Sequence, residues 1–255
     1  MEGQRNKESS ITISKQETLN KLRKEILSLQ GVKPGNEENA GVFGLGPLES
    51  AFPNGICPTG NIHEFLITEP EHAATSAGFL SGLLQVLMKN GSACLWISTN
   101  RTLFPPALQT FGIEPDRIIF VDLKREKDVL WVMEESLKCE GLTAVVAELK
   151  EINFAQSRRL QLVVEKSKVT GFVLRSDPNK ITSTACVARW RITPLPSELE
   201  EGMPGVGFPR WNVELLKVRN GNPGTWVMEW SDGQFKPVDV SNEEYTTEQF
   251  TRSAG

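Results

Sequence analysis

A glycine followed directly by lysine occurs nowhere in these 255 residues. That absence removes the Gly-x4-Gly-Lys-[Ser/Thr] loop, where glycine N–H groups converge on phosphate and lysine meets its outer oxygens. Histidine is scarce too. The two present, His63 and His72, are too few for a histidine-rich metal site. Four cysteines (Cys57, Cys94, Cys139 and Cys186) stand far apart with no CxxC pair. They read as reduced core residues rather than disulfide or metal ligands, so neither metal nor cofactor is expected. No apolar run approaches the ~18–20 residues of a membrane span, and the start, MEGQRNKESS, lacks the apolar core of a signal peptide. The expectation is a cytoplasmic protein with no membrane contact. Positive charge is not in excess either. A net charge of -4 excludes coating nucleic acid by electrostatics alone, though a local basic strip remains compatible with it.

What is present is ordinary for a globular chain: 39% hydrophobic and 24% charged residues, enough for one sizeable core. Ser14-Lys15-Gln16-Glu17 fits a capping box, and Leu19, Leu22, Ile26 and Leu29 follow at helical spacing until Gly31. The stretch VKPGNEENAG then reads as a linker. Residues 1–41 are therefore expected as a helix and linker, 42–238 as the main domain, and 239–255 as a polar tail. The helix either folds back on its own core or docks on another subunit or partner.

From residue 42 onward strands and helices alternate. Strands are predicted at 61–67, 93–98, 117–121, 143–148 and 171–175, with helices at 73–88, 105–111, 124–139 and 155–167. Runs such as LTAVVAEL and GFVLR are continuously apolar, as in a parallel sheet covered on both faces. After residue 177 the pattern changes. Strands at 184–194, 211–219 and 224–230 follow without helices, the last two joined by the hairpin turn NGNPG. The stretch SELEEGMPGVGFP between the first two is expected as a loop. The fold class is α/β: a mostly parallel sheet with helices on both faces and antiparallel carboxy-terminal strands.

Particular words sharpen this. GLGPLESAFPNGICPTGNIHEF resembles the lead-in to a RecA-type core, and LLKVRNGNPGTWVMEW resembles its closing basic hairpin. With LFPPALQTFGIEPDRIIFVDL, LWVMEESLKCEGLTAVV, SRRLQL and ARWRI, the stretch 42–230 resembles the ImuA family. The resemblance implies a RecA-like fold and an accessory role in damage-induced mutagenesis. It implies as partners an ImuB-type relative of the Y-family polymerases and a second error-prone replicative-type polymerase; RecA is a further candidate partner, for the amino-terminal helix. Some relatives carry a likeness to the cell-division inhibitor SulA, which leaves division inhibition as an alternative. An ATPase with an unusual nucleotide site is another.

HEFLITEPEHAATSAG reads as a strand turning into a helix, the place where such folds hold phosphate. Glu69 and Glu71 stand where glycines belong, beside His72, and no cation precedes the hydroxyls of Thr75 and Ser76. The turn is expected to be degenerate and the protein non-catalytic, its acids forming solvated surface or a partner contact. Glu148 ends the strand LTAVVAE at the position of a second metal-holding acid. It is expected as a solvated carboxylate without a catalytic role. In TACVARWRI, a period of two puts Cys186, Ala188, Trp190 and Ile192 on one face and Val187, Arg189 and Arg191 on the other. Lys217 and Arg219 share a face of the next strand. These four cations are expected either as a charged sheet edge or as a strip for an acidic partner, with DNA the weaker alternative. Arg158 and Arg159 read as solvated helix residues. Trp190, Trp211, Trp226 and Trp230 read as core or as interface anchors.

Overall fold

The computed structural model describes residues 43–89, 91–176, 181–197 and 207–238. The expected amino-terminal helix and linker, most of the glycine-rich loop and the tail lie outside them. Strand β1 (Ile62–Leu66) is buried at all five positions, because neighbours flank both edges and both faces are covered. A three-residue turn leads to helix α1 (Pro70–Leu87), followed by β2 (Ala93–Ser98) and β3 (Ile118–Asp122). Helix α2 (Glu126–Ser136), β4 (Leu142–Leu149), helix α3 (Phe154–Ser167) and β5 (Thr170–Arg175) complete the alternating part. Four strands close the chain: β6 (Ala188–Leu195), β7 (Arg210–Val218), β8 (Gly224–Ser231) and β9 (Gln234–Pro237). They form one sheet of order β3-β2-β4-β5-β1-β6-β7-β8-β9. Pairings are parallel from β3 to β6 and antiparallel from β6 to β9. This is the expected α/β architecture, a mostly parallel sheet with antiparallel carboxy-terminal strands.

Each face of the sheet has its own core. Helix α1 covers one, where Phe65, Phe79, Trp96, Phe172, Trp190 and Trp211 pack together. Phe65 and Trp190 stack with centroids 5.6 Å apart. Helices α2 and α3 cover the other through Val129, Met133, Leu160 and Val164 against Ile62, Val145 and Val173. Helix α3 starts where expected because Asn153 and Gln156 make a reciprocal capping box. Trp190, Trp211 and Trp230 are core, and Trp226 packs half-buried against it.

Several expectations are corrected. Residues 105–111 form a 3-10 helix that starts on two prolines and is closed by left-handed Gly112. Helix α2 is shorter than 124–139, and Cys139 is exposed in the turn after it instead of buried in the core. Cys57, Cys94 and Cys186 are buried. The strand expected from residue 184 begins at Ala188, and Cys186 packs on the opposite core from Trp190. Strand β9 is an addition to the expected set. It lies against α1, where a Cβ on Gly82 would stand 2.5 Å from Phe235 Cζ and 2.9 Å from Trp230 Cζ3. Glycine in mid-helix costs about 1 kcal/mol relative to alanine, and here it admits that close approach.

Candidate functional site

The turn between β1 and α1 contains Ile67, Thr68 and Glu69 alone. Three residues cannot wrap a phosphate with successive N–H groups, and Pro70 at the first helical position contributes none. Glu69 is the extended N-cap residue, and its side chain makes no capping bond. Glu71 sits exposed in the first turn. Thr68 Oγ1 and His72 Nδ1 are hydrogen-bonded at 2.8 Å, which fastens the turn to the helix. Thr75 donates to the Glu71 carbonyl at 3.0 Å, so its hydroxyl serves its own helix. Ser76 is fully buried, and its Oγ has no hydrogen-bond partner among the described residues.

Glu148 is not the solvated carboxylate expected. Its Oε1 accepts from Trp96 Nε1 at 2.7 Å. Burial pushes its carboxyl above the ordinary glutamate range, and the Trp96 hydrogen bond offsets part of that by favouring the anion. It opens on a cleft of about 610 Å³ at the carboxyl end of the parallel strands. Ala74, Ala77 and Gly78 of α1 form one wall, and Leu103, Phe104 and Phe111 form the other. Such edges are where open α/β sheets carry ligands. Among the described residues, no three His, Cys, Asp or Glu side chains stand together as a metal site. No described helix is long and apolar enough to cross a membrane.

The four basic residues do not form an exposed row. Arg189 is 8% exposed, and its Nε donates to Glu64 Oε2 at 2.8 Å. Its Nη2 reaches the Thr182 carbonyl at 2.7 Å. Glu64 is fully buried and also accepts from Arg175 Nη1 at 3.2 Å and Thr184 Oγ1 at 2.8 Å. Lys217 donates to the Thr184 carbonyl at 2.6 Å, and Arg219 donates to the Ala185 carbonyl. Desolvation lowers the Lys217 pKa, with Arg189 and Arg219 adding to the effect against the opposing pull of Cys186 and Glu64. Three of the four cations thus hold the chain's own stretch from Thr182 to Ala185. Arg191 pairs in bidentate fashion with Glu214 at 2.8 and 3.0 Å, half-buried. Arg158 and Arg159 are exposed and pair with Glu165 and Glu134.

Sequence reasoning missed Glu64 and Arg175. The signal was an acid inside an otherwise apolar strand, NIHEFLI, and an arginine closing GFVLR. A charge in a strand covered on both faces needs a buried counter-charge.

No family model matches the chain. The structure is similar to that of the RadB recombinase, at a TM-score of 0.49 and 16% identity, over 71% of this chain and 92% of that one. In sequence the chain is 33% identical over 207 residues to Protein ImuA of Caulobacter vibrioides strain NA1000 / CB15N, covering 76% of this chain and 85% of the relative. Protein ImuA of strain ATCC 19089 / CIP 103742 / CB 15 matches to the same extent. This chain belongs to the ImuA family.

Proposed function

We propose that this chain is a non-catalytic, cytoplasmic adaptor in damage-induced mutagenic translesion DNA synthesis. It acts with an ImuB-type relative of the Y-family polymerases and with a second error-prone replicative-type polymerase. The observation that carries the non-catalytic part is the three-residue turn between β1 and α1, closed by Pro70 and flanked by Glu69 and Glu71. A carboxylate about 5 Å from a phosphate charge costs about 3 kcal/mol at an effective dielectric near 20, enough to erase micromolar affinity. The Thr75 hydroxyl donates to its own helix and one Glu148 oxygen accepts from Trp96, and with acids flanking the turn no phosphate is drawn there to complete an Mg²⁺ site. Family membership supports the pathway and the polymerase partner.

Residues 1–41 serve in this reading as an arm for self-association or for RecA, ahead of a core at 42–238. Contact with DNA is indirect, through the polymerases, because Arg189, Lys217 and Arg219 are engaged within the chain. The test is a pull-down of the tagged chain from DNA-damaged cells, read by mass spectrometry. The polymerase relative should co-elute at near-stoichiometric yield. Recovery of a filament-forming division protein in its place would overturn the reading.

A further inference from the structure

The cleft beside Glu148 is unused by the adaptor reading so far. Its walls are apolar, and its volume of about 610 Å³ falls within the ~300–1,000 Å³ range of ligand sites. Its ionisable lining is unbalanced: Glu126 and Glu148 against Lys150. Glu69 and Glu71 add two more acids on either side of Pro70, which itself lines the cleft. The balance of charge in this arrangement disfavours an anion.

We propose that the cleft binds a partner peptide, seating an apolar side chain between α1 and Phe111 and the lysine or arginine beside it on Glu148. The small side chains of Ala74, Ala77 and Gly78 leave the space that the anchor fills. Trp96 holds one carboxylate oxygen from behind at 2.7 Å, and no hydrogen bond within the described residues engages the other. A charge-assisted bond to that oxygen, partly shielded from water, is stronger than a neutral one. Phe104, 67% exposed at the rim, offers an aromatic surface over which an extended chain passes. A small amine would leave that rim uncovered, which favours a peptide. The acidic turn thereby gains a purpose: it repels phosphate and draws a cation to the same edge of the sheet. The inference rests on the nucleotide-free reading of that edge.

The test titrates the full chain with three capped tripeptides that share a leucine-phenylalanine body and end in arginine, glutamine or glutamate. The arginine peptide should bind at least tenfold more tightly than the glutamine one and should shift the indole N–H resonance of Trp96. Glu148→Gln keeps an acceptor for Trp96 and should reduce the preference below threefold. Ala74→Trp, at an exposed position on the wall, should abolish binding with an unchanged melting temperature. Phenethylamine, a small source of the same chemistry, should bind at least tenfold more weakly than the arginine peptide. Equal or absent binding of the three peptides, an arginine preference that survives Glu148→Gln, or equal binding of phenethylamine would overturn the proposal. Displacement of the arginine peptide by Mg-ATP would instead overturn the nucleotide-free reading and leave the cation preference standing.

Discussion

Arg189 and Glu64 lie 125 residues apart in sequence and meet inside the protein, Nε to Oε2 at 2.8 Å. With Arg175 on the other oxygen, one carboxylate holds two guanidinium groups and links β5, β1 and β6. The pair also fastens Thr182 and Thr184 over the sheet. A residue that the sequence offers as a surface contact is therefore a strut.

Removing either partner should be costly. Breaking a buried ion pair from one side leaves an uncompensated charge and costs about 3–5 kcal/mol. Arg189→Ala and Glu64→Ala should each lower the unfolding free energy in urea by that amount. Arg191→Ala, whose partner Glu214 is half-exposed, should cost about 1 kcal/mol or less. Equal, small losses for all three would show that Arg189 is an edge charge after all.

His63 makes stability sensitive to acid. It is buried against Phe172 and Trp190, with Nε2–H donating to the Pro58 carbonyl and Nδ1 accepting from Trp190. Burial lowers its pKa from 6.5 to about 4, although the Pro58 bond opposes this. The unfolded chain thus takes up a proton below pH 6.5 that the folded chain refuses until about pH 4. Stability should fall with pH across that window by up to about 1.4 kcal/mol per unit. Between pH 7.5 and 5 the loss from this group is about 2 kcal/mol, read from urea midpoints. His63→Phe should remove that part of the slope; an unchanged slope would place the acid sensitivity elsewhere.

Gly82→Ala sets two effects against each other. Alanine gains about 1 kcal/mol in helix propensity, while overpacking costs about 1–3 kcal/mol. The new methyl would stand 2.5 Å from a ring already held between Phe79, Trp211 and Trp230, so the clash should win. A lower melting temperature is expected, whereas a higher one would mean that β9 does not pack on α1.

Much of the core was legible in the sequence. LTAVVAEL and GFVLR carry no polar alternation, and that alone calls for a sheet buried on both faces. Strand β9 escaped because QFKP is four residues long and half polar, so neither length nor periodicity marks it. Alternation did place Arg189 and Arg191 on one face. What it does not carry is that the stretch from Thr182 to Ala185 covers part of that face, since this depends on tertiary contacts with Glu64, Lys217 and Arg219 on other strands. The acids of the turn were equally plain. Their neighbours were not, because Trp96, Phe104 and Phe111 reach the cleft from separate segments.

Glu148 should report the state of the cleft directly. Trp96→Phe removes a hydrogen bond that favours its anion, so its pKa should rise further above the usual glutamate range. Carbon-detected NMR of the labelled carboxyl measures this, and a fall would mean that Trp96 acts through burial alone.

The central claim is that the α/β core has lost its nucleotide. Isothermal calorimetry of the full chain with Mg-ATP tests it most directly. The account predicts no saturable heat up to about 1 mM nucleotide, equivalent to a binding free energy weaker than about -4 kcal/mol. A dissociation constant of about 10 µM or tighter would contradict it, because the turn would then have to supply about -7 kcal/mol through two carboxylates and a proline.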